Sequence, residues 1–316
     1  MIMPEPLLAG IGISLLASVV AGPPLALGLQ LIPERWRRTT EWLLLAGAVV
    51  FTLLTSLLVE TRVGVAMTYA LAALPGLVAF LAFRTLLASM IVSLAPLYFV
   101  IGEMTRGQRT YAPEIALDRT LSVQPAWTLV YGSLYVFIVA LPLLVVRQPE
   151  LYRRAMQAYL MVMLVGYAGF LLYPTVAPRP AQVPGDGFSA WTLRLVYSID
   201  PPHGCFPSLH VAYSFVSALT CYRVHPGVGV IAGLWAALIG VSTLYTKQHY
   251  VLDVITGALA AYVAYWLFLR SYPREMISKS DRLRAPRRAL WAVVIIVVMV
   301  VGFWVTYQAG VVVTDV

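Results

Sequence analysis

The chain has 316 residues, of which 60% are hydrophobic and only 11% are charged, and its mean hydropathy is +0.81. These proportions exclude an ordinary soluble globular protein, whose surface needs far more charge. The formal net charge of +8 would suggest a nucleic-acid partner for a soluble protein. In so apolar a chain membrane topology explains it better, so we expect no nucleic-acid partner.

Uncharged runs of about 18 or more residues predict helices that cross the roughly 30 Å hydrocarbon layer of a membrane. About ten such runs follow one another, so the predicted fold is all-α, a polytopic bundle of transmembrane helices. In chain order the predicted spans are residues 6–33, 42–59, 63–83, 85–102, 124–146, 155–173, 207–222, 226–246, 250–269 and 289–310.

The basic residues indicate how these spans are oriented. If the N-terminus is outside and the spans alternate, most of the 22 basic residues fall in cytoplasmic loops, as the positive-inside rule requires. The beginnings of spans 207–222 and 250–269 then lie at the outer surface. The preference for Arg over Lys is compatible with a bacterium, so the expected location is a bacterial plasma membrane.

Three stretches outside the predicted spans are open to more than one interpretation. Residues 103–123 form either a short amphipathic helix at the interface or an ordinary loop. The connection 174–206, rich in Pro and Gly, is long for a compact domain, so it is either functional or disordered, and its ends favour function. The basic segment 270–288 either contacts anionic lipid head groups or only determines topology.

The segment 205–214, CFPSLHVAYS, begins one of the predicted spans. Pro207 suits the first helical position, where its missing N–H costs nothing. The free N–H groups of this helix end, with the positive end of the helix dipole, can bind a phosphate group, and Ser208 can add a hydroxyl donor. Ser208 then lies in the first turn, and His210 lies one turn into an otherwise apolar helix.

The segment 242–253, STLYTKQHYVLD, begins the span after next. His249 and Asp253 have the spacing i, i+4, which places both side chains on one face of a helix. The carboxylate can then hold one imidazole tautomer and stabilise positive charge, which makes His249 a competent nucleophile. Alternating spans bring His210 to the same membrane surface, together with Arg179, which follows span 155–173.

These motifs resemble those of the type 2 phosphatidic acid phosphatase and haloperoxidase superfamily. The resemblance covers about residues 85–270, with Pro207-Ser208-Leu209-His210 as the second motif and Ser242-Thr243 through His249 and Asp253 as the third. With Leu at 209, the chain is most similar to the branch that contains fungal inositol phosphorylceramide synthases. The resemblance implies that His249 attacks phosphorus, that His210 protonates the leaving oxygen, and that no metal or cofactor is needed.

The resemblance also implies a domain organisation. A six-helix catalytic core would occupy residues 85–270, preceded by additional transmembrane helices at 1–84. Residues 271–316 would form a basic cytoplasmic segment and a last transmembrane helix.

Two positions depart from the pattern of this superfamily. The Lys expected seven residues before the first-motif Arg is Leu172 here, and the usual Arg of the third motif is Thr243. Arg179 is then the main cation for the substrate phosphate, with Ser208 and Thr243 as further contacts. Lys247, two residues before the nucleophile, is expected to replace one missing cation.

The leading functional hypothesis is therefore a lipid phosphatase that hydrolyses a phosphate monoester or pyrophosphate at the outer membrane face. The closest alternative is a phosphotransferase that moves a phospho-head group to an alcohol acceptor. A transporter would predict charges near mid-membrane and inverted repeats, neither of which is visible, and the vanadate haloperoxidases are soluble. Phosphatidic acid, polyprenyl phosphates and sphingolipid-type substrates all remain open, as does the oligomeric state.

Overall fold

The computed structural model describes residues 91, 94, 97–105, 107–310, 312 and 313. The chain divides into two compact units, Met1–Val100 and Ile101–Val316, and the architecture below is that of the second. The described residues contain helices and two isolated β-bridges but no strand, which confirms the all-α prediction there. The predicted spans at 6–33, 42–59 and 63–83, and most of 85–102, lie outside the described residues.

Ten α-helices are described, two of them joined to short 3-10 or π-helical turns. They are α1 Leu97–Thr105, α2 Ala116–Thr120, α3 Thr128–Gly132 after a 3-10 turn at Pro125–Trp127, α4 Leu134–Val145, α5 Pro149–Leu172, α6 Phe188–Ile199, α7 Leu209–Val224, α8 Pro226–Tyr245, α9 Val251–Ala264 continued by a π-helical turn at Tyr265–Leu269, and α10 Lys279–Gln308, with a 3-10 turn at Arg274–Met276 before it.

Five stretches among the described residues are long and apolar enough to cross a membrane, which indicates an integral membrane protein. They are Pro125–Val145, Pro149–Leu172, Pro226–Tyr245, Val251–Leu269 and Lys279–Gln308. The predicted span at 207–222 corresponds to α7, which has only 16 residues. The ten predicted spans and the six-helix core therefore remain predictions.

Helix α7 is the centre of the unit and packs against α4, α5, α8 and α9. Small and hydroxylated residues are buried along it, which lets neighbouring helices approach closely. Their hydroxyl groups bond to helix carbonyls, as Ser217 does to Phe137 at 2.9 Å. By contrast, only 6% of the apolar window of α10 is buried.

Two glycines seat the beginning of α7 between its neighbours. A Cβ atom at Gly257 of α9 would overlap the carbonyl group of Ser208, and one at Gly169 of α5 would overlap Phe206 and Pro207. The backbone N–H of Ser208 also donates to the carbonyl of Asp253 at 3.0 Å. The first turn of α7 is therefore fixed against both α5 and α9.

The chain direction defines two ends of the bundle. Helices α5 and α8 finish, and α7 and α9 begin, at what we call the histidine end, which holds residues 173–210 and 243–253. The arginine end holds residues 147–154, 222–226 and 269–276. The histidine end contains His210 and His249, whereas the arginine end contains several arginines.

The predicted boundaries were wrong where helices continue beyond the apolar sequence. Helix α5 begins at Pro149, not at 155, and α10 begins at Lys279, not at 289. Charged turns such as the one in which Arg153 pairs with Glu150 at 2.7 Å extend a helix without adding hydropathy. Pro207 is not helical either, because α7 begins at Leu209 with Ser208 as its N-cap.

Two of the three stretches that were open to interpretation, 174–206 and 103–123, contain ordered structure. The connection 174–206 carries the 12-residue helix α6, whose apolar face includes the buried residues Trp191 and Leu193, so it is not disordered. Within residues 103–123 the structure has the end of α1, the five-residue helix α2 and irregular backbone. Each of the two alternatives for that stretch thus describes part of it.

Candidate active site

The chain that leads into α7 is held in place by Thr175. Its hydroxyl oxygen accepts hydrogen bonds from the backbone N–H groups of Cys205 at 2.8 Å and Phe206 at 3.1 Å. One residue further on, Val176 forms an isolated antiparallel bridge with His203. The two ends of the long connection are thereby tied together next to the first turn of α7, which carries His210.

His249 and Asp253 form the predicted pair. Nδ1 of His249 lies 3.3 Å from Oδ2 of Asp253, and both side chains are buried. The same carboxylate oxygen accepts the backbone N–H of Tyr250 at 2.9 Å, so the carboxylate also caps the beginning of α9. Because the carboxylate is fixed by the helix end, it fixes the imidazole in turn.

His210 faces the other nitrogen of His249. Nδ1 of His210 lies 2.9 Å from Nε2 of His249, and the two rings meet edge to face. The three residues predicted to be catalytic are therefore brought together in the order Asp253, His249, His210. A phosphorus atom that His249 attacks through Nε2 would lie within reach of His210.

Two further residues lie behind His210 and were missed by the sequence reasoning. The hydroxyl of Tyr131, in α3, lies 3.3 Å from Nε2 of His210 and donates a hydrogen bond to Oδ2 of Asp200 at 3.0 Å. That carboxylate oxygen is itself 3.9 Å from Nε2 of His210. Each histidine thus has a carboxylate on the side away from the other histidine.

Arg179 is joined through Gln248 to the segment that carries His249. Its guanidinium donates from Nε to Oε1 of Gln248 at 3.1 Å and from Nη1 to the carbonyl of Tyr197 at 3.2 Å. The guanidinium carbon lies 4.5 Å from the centre of the Tyr197 ring, and the Tyr197 hydroxyl donates to the carbonyl of Thr246 at 2.7 Å. The arginine is therefore held between α6 and the segment that carries His249.

Gln248 was also missed, although it immediately precedes His249. It is only 3% exposed, and its amide nitrogen is buried without a hydrogen-bond partner among the described residues. A buried amide N–H group that lacks a partner is costly. A substrate oxygen bound next to His249 would supply one.

Ser208 and Thr243 are placed behind the histidines, with their hydroxyl groups already engaged. The Ser208 oxygen accepts the backbone N–H of Val211 at 3.3 Å, and the Thr243 hydroxyl donates to the carbonyl of Gly240 at 2.7 Å. Both residues are fully buried. The carbonyl of Thr243 accepts the backbone N–H of Gln248 at 2.9 Å, so this residue shapes the turn before the nucleophile.

Lys247 adopts a positive φ of 55°, which is uncommon for a residue other than glycine. Its ammonium group donates to the carbonyl of Asp118 in α2 at 3.3 Å, and the Asp118 carboxylate accepts the backbone N–H of Val251 at 2.9 Å. The structure therefore places Lys247 in a contact between α2 and the beginning of α9. To reach a phosphate group at the histidines, the side chain would have to leave that carbonyl.

Cys205 lies beside the pair, and ligand atoms of Cys205, His249 and Asp253 all fall within 4.8 Å of one another. Burial raises the pKa of the Cys205 thiol well above its usual range, whereas a metal requires the thiolate. The thiol instead contacts the carbonyl of Pro202 at 3.7 Å. Both cysteines, Cys205 and Cys221, are buried and free.

Residues 114–267 match the model of a family described as the PAP2 superfamily. A PA-phosphatase related-family protein of Dictyostelium discoideum is 30% identical over 98 residues, which are 28% of this chain and 18% of that protein. An uncharacterised protein of Methanocaldococcus jannaschii is 34% identical over 99 residues, 31% of this chain and 41% of that protein.

A third relative, the phosphoinositol dihydroceramide synthase of Bacteroides thetaiotaomicron, is 25% identical over 148 residues, which are 39% of this chain and 47% of that protein. The chain thus matches less than half of the length of each of these relatives. No solved structure matches it. The resemblance to phosphatases and to inositol phosphorylceramide synthases, first noted in residues 207–253, is confirmed by these similarities.

Proposed function

Because residues 114–267 belong to the PAP2 superfamily, we propose that this membrane protein transfers the phosphoryl group of a lipid phosphate through a phospho-histidine at His249. One observation carries the proposal. Nε2 of His249 faces Nδ1 of His210 at 2.9 Å, while its own Nδ1 faces Asp253 at 3.3 Å. A nucleophile, the carboxylate that orients it and an acid are thus aligned.

In the first step the Asp253 carboxylate holds the proton on Nδ1 of His249, and the substrate phosphate displaces His210 from its contact with Nε2, which leaves the lone pair on Nε2 free. That lone pair forms a bond to phosphorus while the bond from phosphorus to the leaving oxygen breaks. Positive charge develops on the His249 ring and is stabilised by the buried carboxylate. The protonated His210 donates its Nδ1 proton to the leaving oxygen.

The second step reverses these roles. Neutral His210 removes a proton from a water molecule or from an acceptor alcohol, whose oxygen then attacks the phospho-histidine. The nitrogen–phosphorus bond breaks, and His249 and His210 return to their initial states. Asp200 and Tyr131, which lie at Nε2 of His210, favour the protonated ring and fix its orientation, so we assign them as positioning residues.

The phosphate oxygens would be bound by Arg179 and by the amide N–H of Gln248. A guanidinium anchored by a glutamine and by backbone carbonyls loses little side-chain entropy when an anion binds. Gln248 then supplies one of the donors that Leu172 and Thr243 do not. Ser208 and Thr243 would support this site from behind, and Lys247 stays a candidate contact that requires the movement described above.

The distribution of charge supports an extracytoplasmic active site. The basic residues Arg147, Arg153, Arg154, Arg223 and Arg270 all lie at the arginine end, which the positive-inside rule places in the cytoplasm. The histidine end is then on the opposite side of the membrane. The lipid phosphate would be one whose head group is available there.

Trapping the phospho-enzyme tests the proposal. Wild-type protein quenched in alkali after mixing with a lipid labelled with ³²P in its phosphate should carry label that survives base and is lost in acid, as phospho-histidine does. His249→Ala should carry none. Acid-stable label on a serine, or label that persists in His249→Ala, would contradict the assignment of the nucleophile.

Hydrolysis is the leading reaction, and transfer to an acceptor is favoured by one relative being a phosphoinositol dihydroceramide synthase. The two share the phospho-histidine and differ in what resolves it. Release of inorganic phosphate from phosphatidic acid without any acceptor would support hydrolysis. Labelled product that forms only when phosphatidylinositol and dihydroceramide are both supplied would support transfer.

The mechanism assigns every proton and phosphate contact to side chains of this chain. Turnover should therefore persist after dialysis against a chelator such as EDTA. Loss of turnover that is restored by one divalent metal would instead assign the group formed by Cys205, His249 and Asp253 to that metal. A Cys205→Ser variant with unchanged turnover would support the metal-independent reaction.

A further inference from the structure

The arginine end contains a cavity of about 590 Å³ that the proposed reaction does not use. Its lining includes Arg223 at the end of α7, Arg270 after α9, and Arg274 with Glu275 in the following turn. Three guanidinium groups against one carboxylate make it strongly cationic. The 16 residues of α7 separate it from the histidines by about 24 Å, at about 1.5 Å per residue.

The wall of the cavity is held in place by hydrogen bonds and a cation–π contact. Nη2 of Arg274 donates to the carbonyl of Tyr222 at 3.2 Å, and its guanidinium carbon lies 4.9 Å from the centre of the Tyr222 ring. In the reciprocal contact, Nη2 of Arg223 donates to the carbonyl of Tyr272. Tyr272 is buried, so the two arginines cross-link α7 to the turn between α9 and α10.

These contacts leave donors without acceptors. The Nε groups of Arg223 and Arg274 are both buried and have no hydrogen-bond partner among the described residues. A guanidinium has five N–H donors in a planar fork that suits the oxygens of a phosphate group. The cavity therefore combines positive charge with guanidinium groups that are held in fixed orientations.

The surroundings of the cavity indicate where its ligand comes from. Trp266, which is 55% exposed, and Met276, which is 69% exposed, flank the cavity in sequence. Exposed Trp near the end of an apolar helix is typical of the membrane interface, where lipid head groups lie. The first turns of α10 add further exposed basic residues, among them Arg284 and Arg287.

We propose that this cavity binds the phosphate group of an anionic membrane lipid, which holds the ends of α7 and α9 and the beginning of α10 together. The lipid is a structural or regulatory ligand, distinct from the substrate at the histidine end. Basic pockets between transmembrane helices bind such head groups in other membrane proteins. The proposal does not depend on which reaction the histidines catalyse.

The test measures lipid bound to the full-length protein purified in detergent. Native mass spectrometry would count molecules of phosphatidylglycerol retained by wild type and by Arg270→Gln/Arg274→Gln, and a titration with a fluorescent phosphatidylglycerol would give the affinity. We expect the double variant to retain one lipid fewer and to bind with at least about tenfold lower affinity. Lipid held at the histidine end would be counted equally in both proteins.

A matched control removes the same charge nearby. Arg284→Gln/Arg287→Gln lies outside the cavity lining and should change the affinity by less than about twofold, because solvent and salt screen charges that do not contact the bound phosphate. If Arg274→Gln prevents folding, Arg270→Gln alone carries the test, since Arg270 is exposed. An equal loss in the cavity and control variants would overturn the proposal.

The source of the phosphate is tested in the same titration. Phosphatidylcholine with the same acyl chains should compete weakly, because its head group has no net charge. Inorganic phosphate should also compete weakly, because it lacks the acyl chains that place the lipid at the interface. Equal competition by phosphatidylcholine, or competition by inorganic phosphate as strong as that of phosphatidylglycerol, would overturn the assignment to an anionic lipid.

Discussion

The two halves of the candidate site are built in different ways. On the α9 side, His249 lies two residues before that helix begins and receives its carboxylate from Asp253 in the first turn of the helix. On the α7 side, His210 receives its carboxylate from Asp200, at the end of α6, together with the hydroxyl of Tyr131 from α3. One short stretch of chain thus assembles the support of His249, whereas two separate helices supply the support of His210.

This difference predicts unequal consequences of mutation. In the proposed mechanism the α9 side forms the bond to phosphorus, and Asp253, which supports it, is fully buried. The α7 side would only transfer a proton, and its supporting residues come from two separate helices. Substitutions on the α9 side should therefore lower the rate of turnover more than the corresponding substitutions on the α7 side.

The largest effect is expected for His249→Ala. Loss of the nucleophile should lower kcat by on the order of 10⁴-fold or more, because no other group can form the covalent intermediate. Phosphate release from a lipid phosphate measures it, with size-exclusion chromatography as the check on folding. His225→Asn is the matched control, because Asn can keep the cap that His225 provides for α8. Similar rates for wild type and His249→Ala would contradict the assignment of His249 as the nucleophile.

Asp253→Asn should follow, with kcat lower by on the order of 10³-fold, since the amide cannot hold the required tautomer of His249. The amide can still accept the N–H of Tyr250, so the cap of α9 and the fold should survive. Circular dichroism and thermal unfolding would verify this. A decrease no larger than that for Asp200→Asn would abolish the distinction between the two sides.

Arg179→Ala should lower kcat/KM by on the order of 10²-fold, because the main cation for the phosphate is lost. Lys247→Ala should have a smaller effect, since its ammonium group contacts the carbonyl of Asp118. Parallel measurements on the two variants rank the two cations. Wild-type rates in Lys247→Ala would remove that residue from the site, and equal losses would show that it reaches the phosphate.

Asp200→Asn should lower kcat by about ten- to a hundredfold, the range seen when the supporting partner of a functional histidine is lost. The pH dependence of kcat/KM for Asp200→Asn provides a second measurement. Removing the carboxylate disfavours protonated His210, so the decline of kcat/KM on the alkaline side should move to lower pH by about one unit. An unshifted profile with a lower rate would assign Asp200 a purely structural role.

Tyr131→Phe should have the smallest effect, a decrease of about two- to tenfold, because Asp200 still faces the ring when the phenol hydroxyl is lost. The pH profile should shift in the same direction as for Asp200→Asn and by less. The double variant Asp200→Asn/Tyr131→Phe should lower kcat by less than the product of the two single decreases, since both residues act through His210. Fully multiplicative decreases would show that the two residues act independently.

The same comparison explains what the sequence could predict. His249 and Asp253 are four residues apart and were predicted to lie on one face of a helix. The predicted contact is present, but His249 precedes α9, and the two side chains meet because Asp253 caps the beginning of that helix. His210 was placed by counting spans, which requires only that the chain alternate between membrane faces. Asp200 could not be found, because an isolated acidic residue in a Pro-rich connection reads as an exposed loop residue, and only the fold of residues 174–206 buries it.

Predicted helix boundaries were accurate only where the apolar sequence and the helix end at the same residues. The spans predicted at 226–246 and 250–269 agree closely with Pro226–Tyr245 and Val251–Leu269, because there apolar sequence and helix end together. Helix α10 continues through ten further N-terminal residues that are rich in Lys and Arg. Hydropathy detects the apolar portion of such a helix and does not detect the charged portion that continues beyond it.

The contact between Gly257 and the Ser208 carbonyl also bears on how this enzyme could be redesigned. Since no side chain fits between α9 and the first turn of α7, the spacing of the two histidines is set by backbone contact and offers no room for tuning. Attempts to change lipid selectivity by random substitution would mostly destroy function there. Libraries should instead target the connection 174–206, where variation can alter the entrance and leave the reacting groups in register.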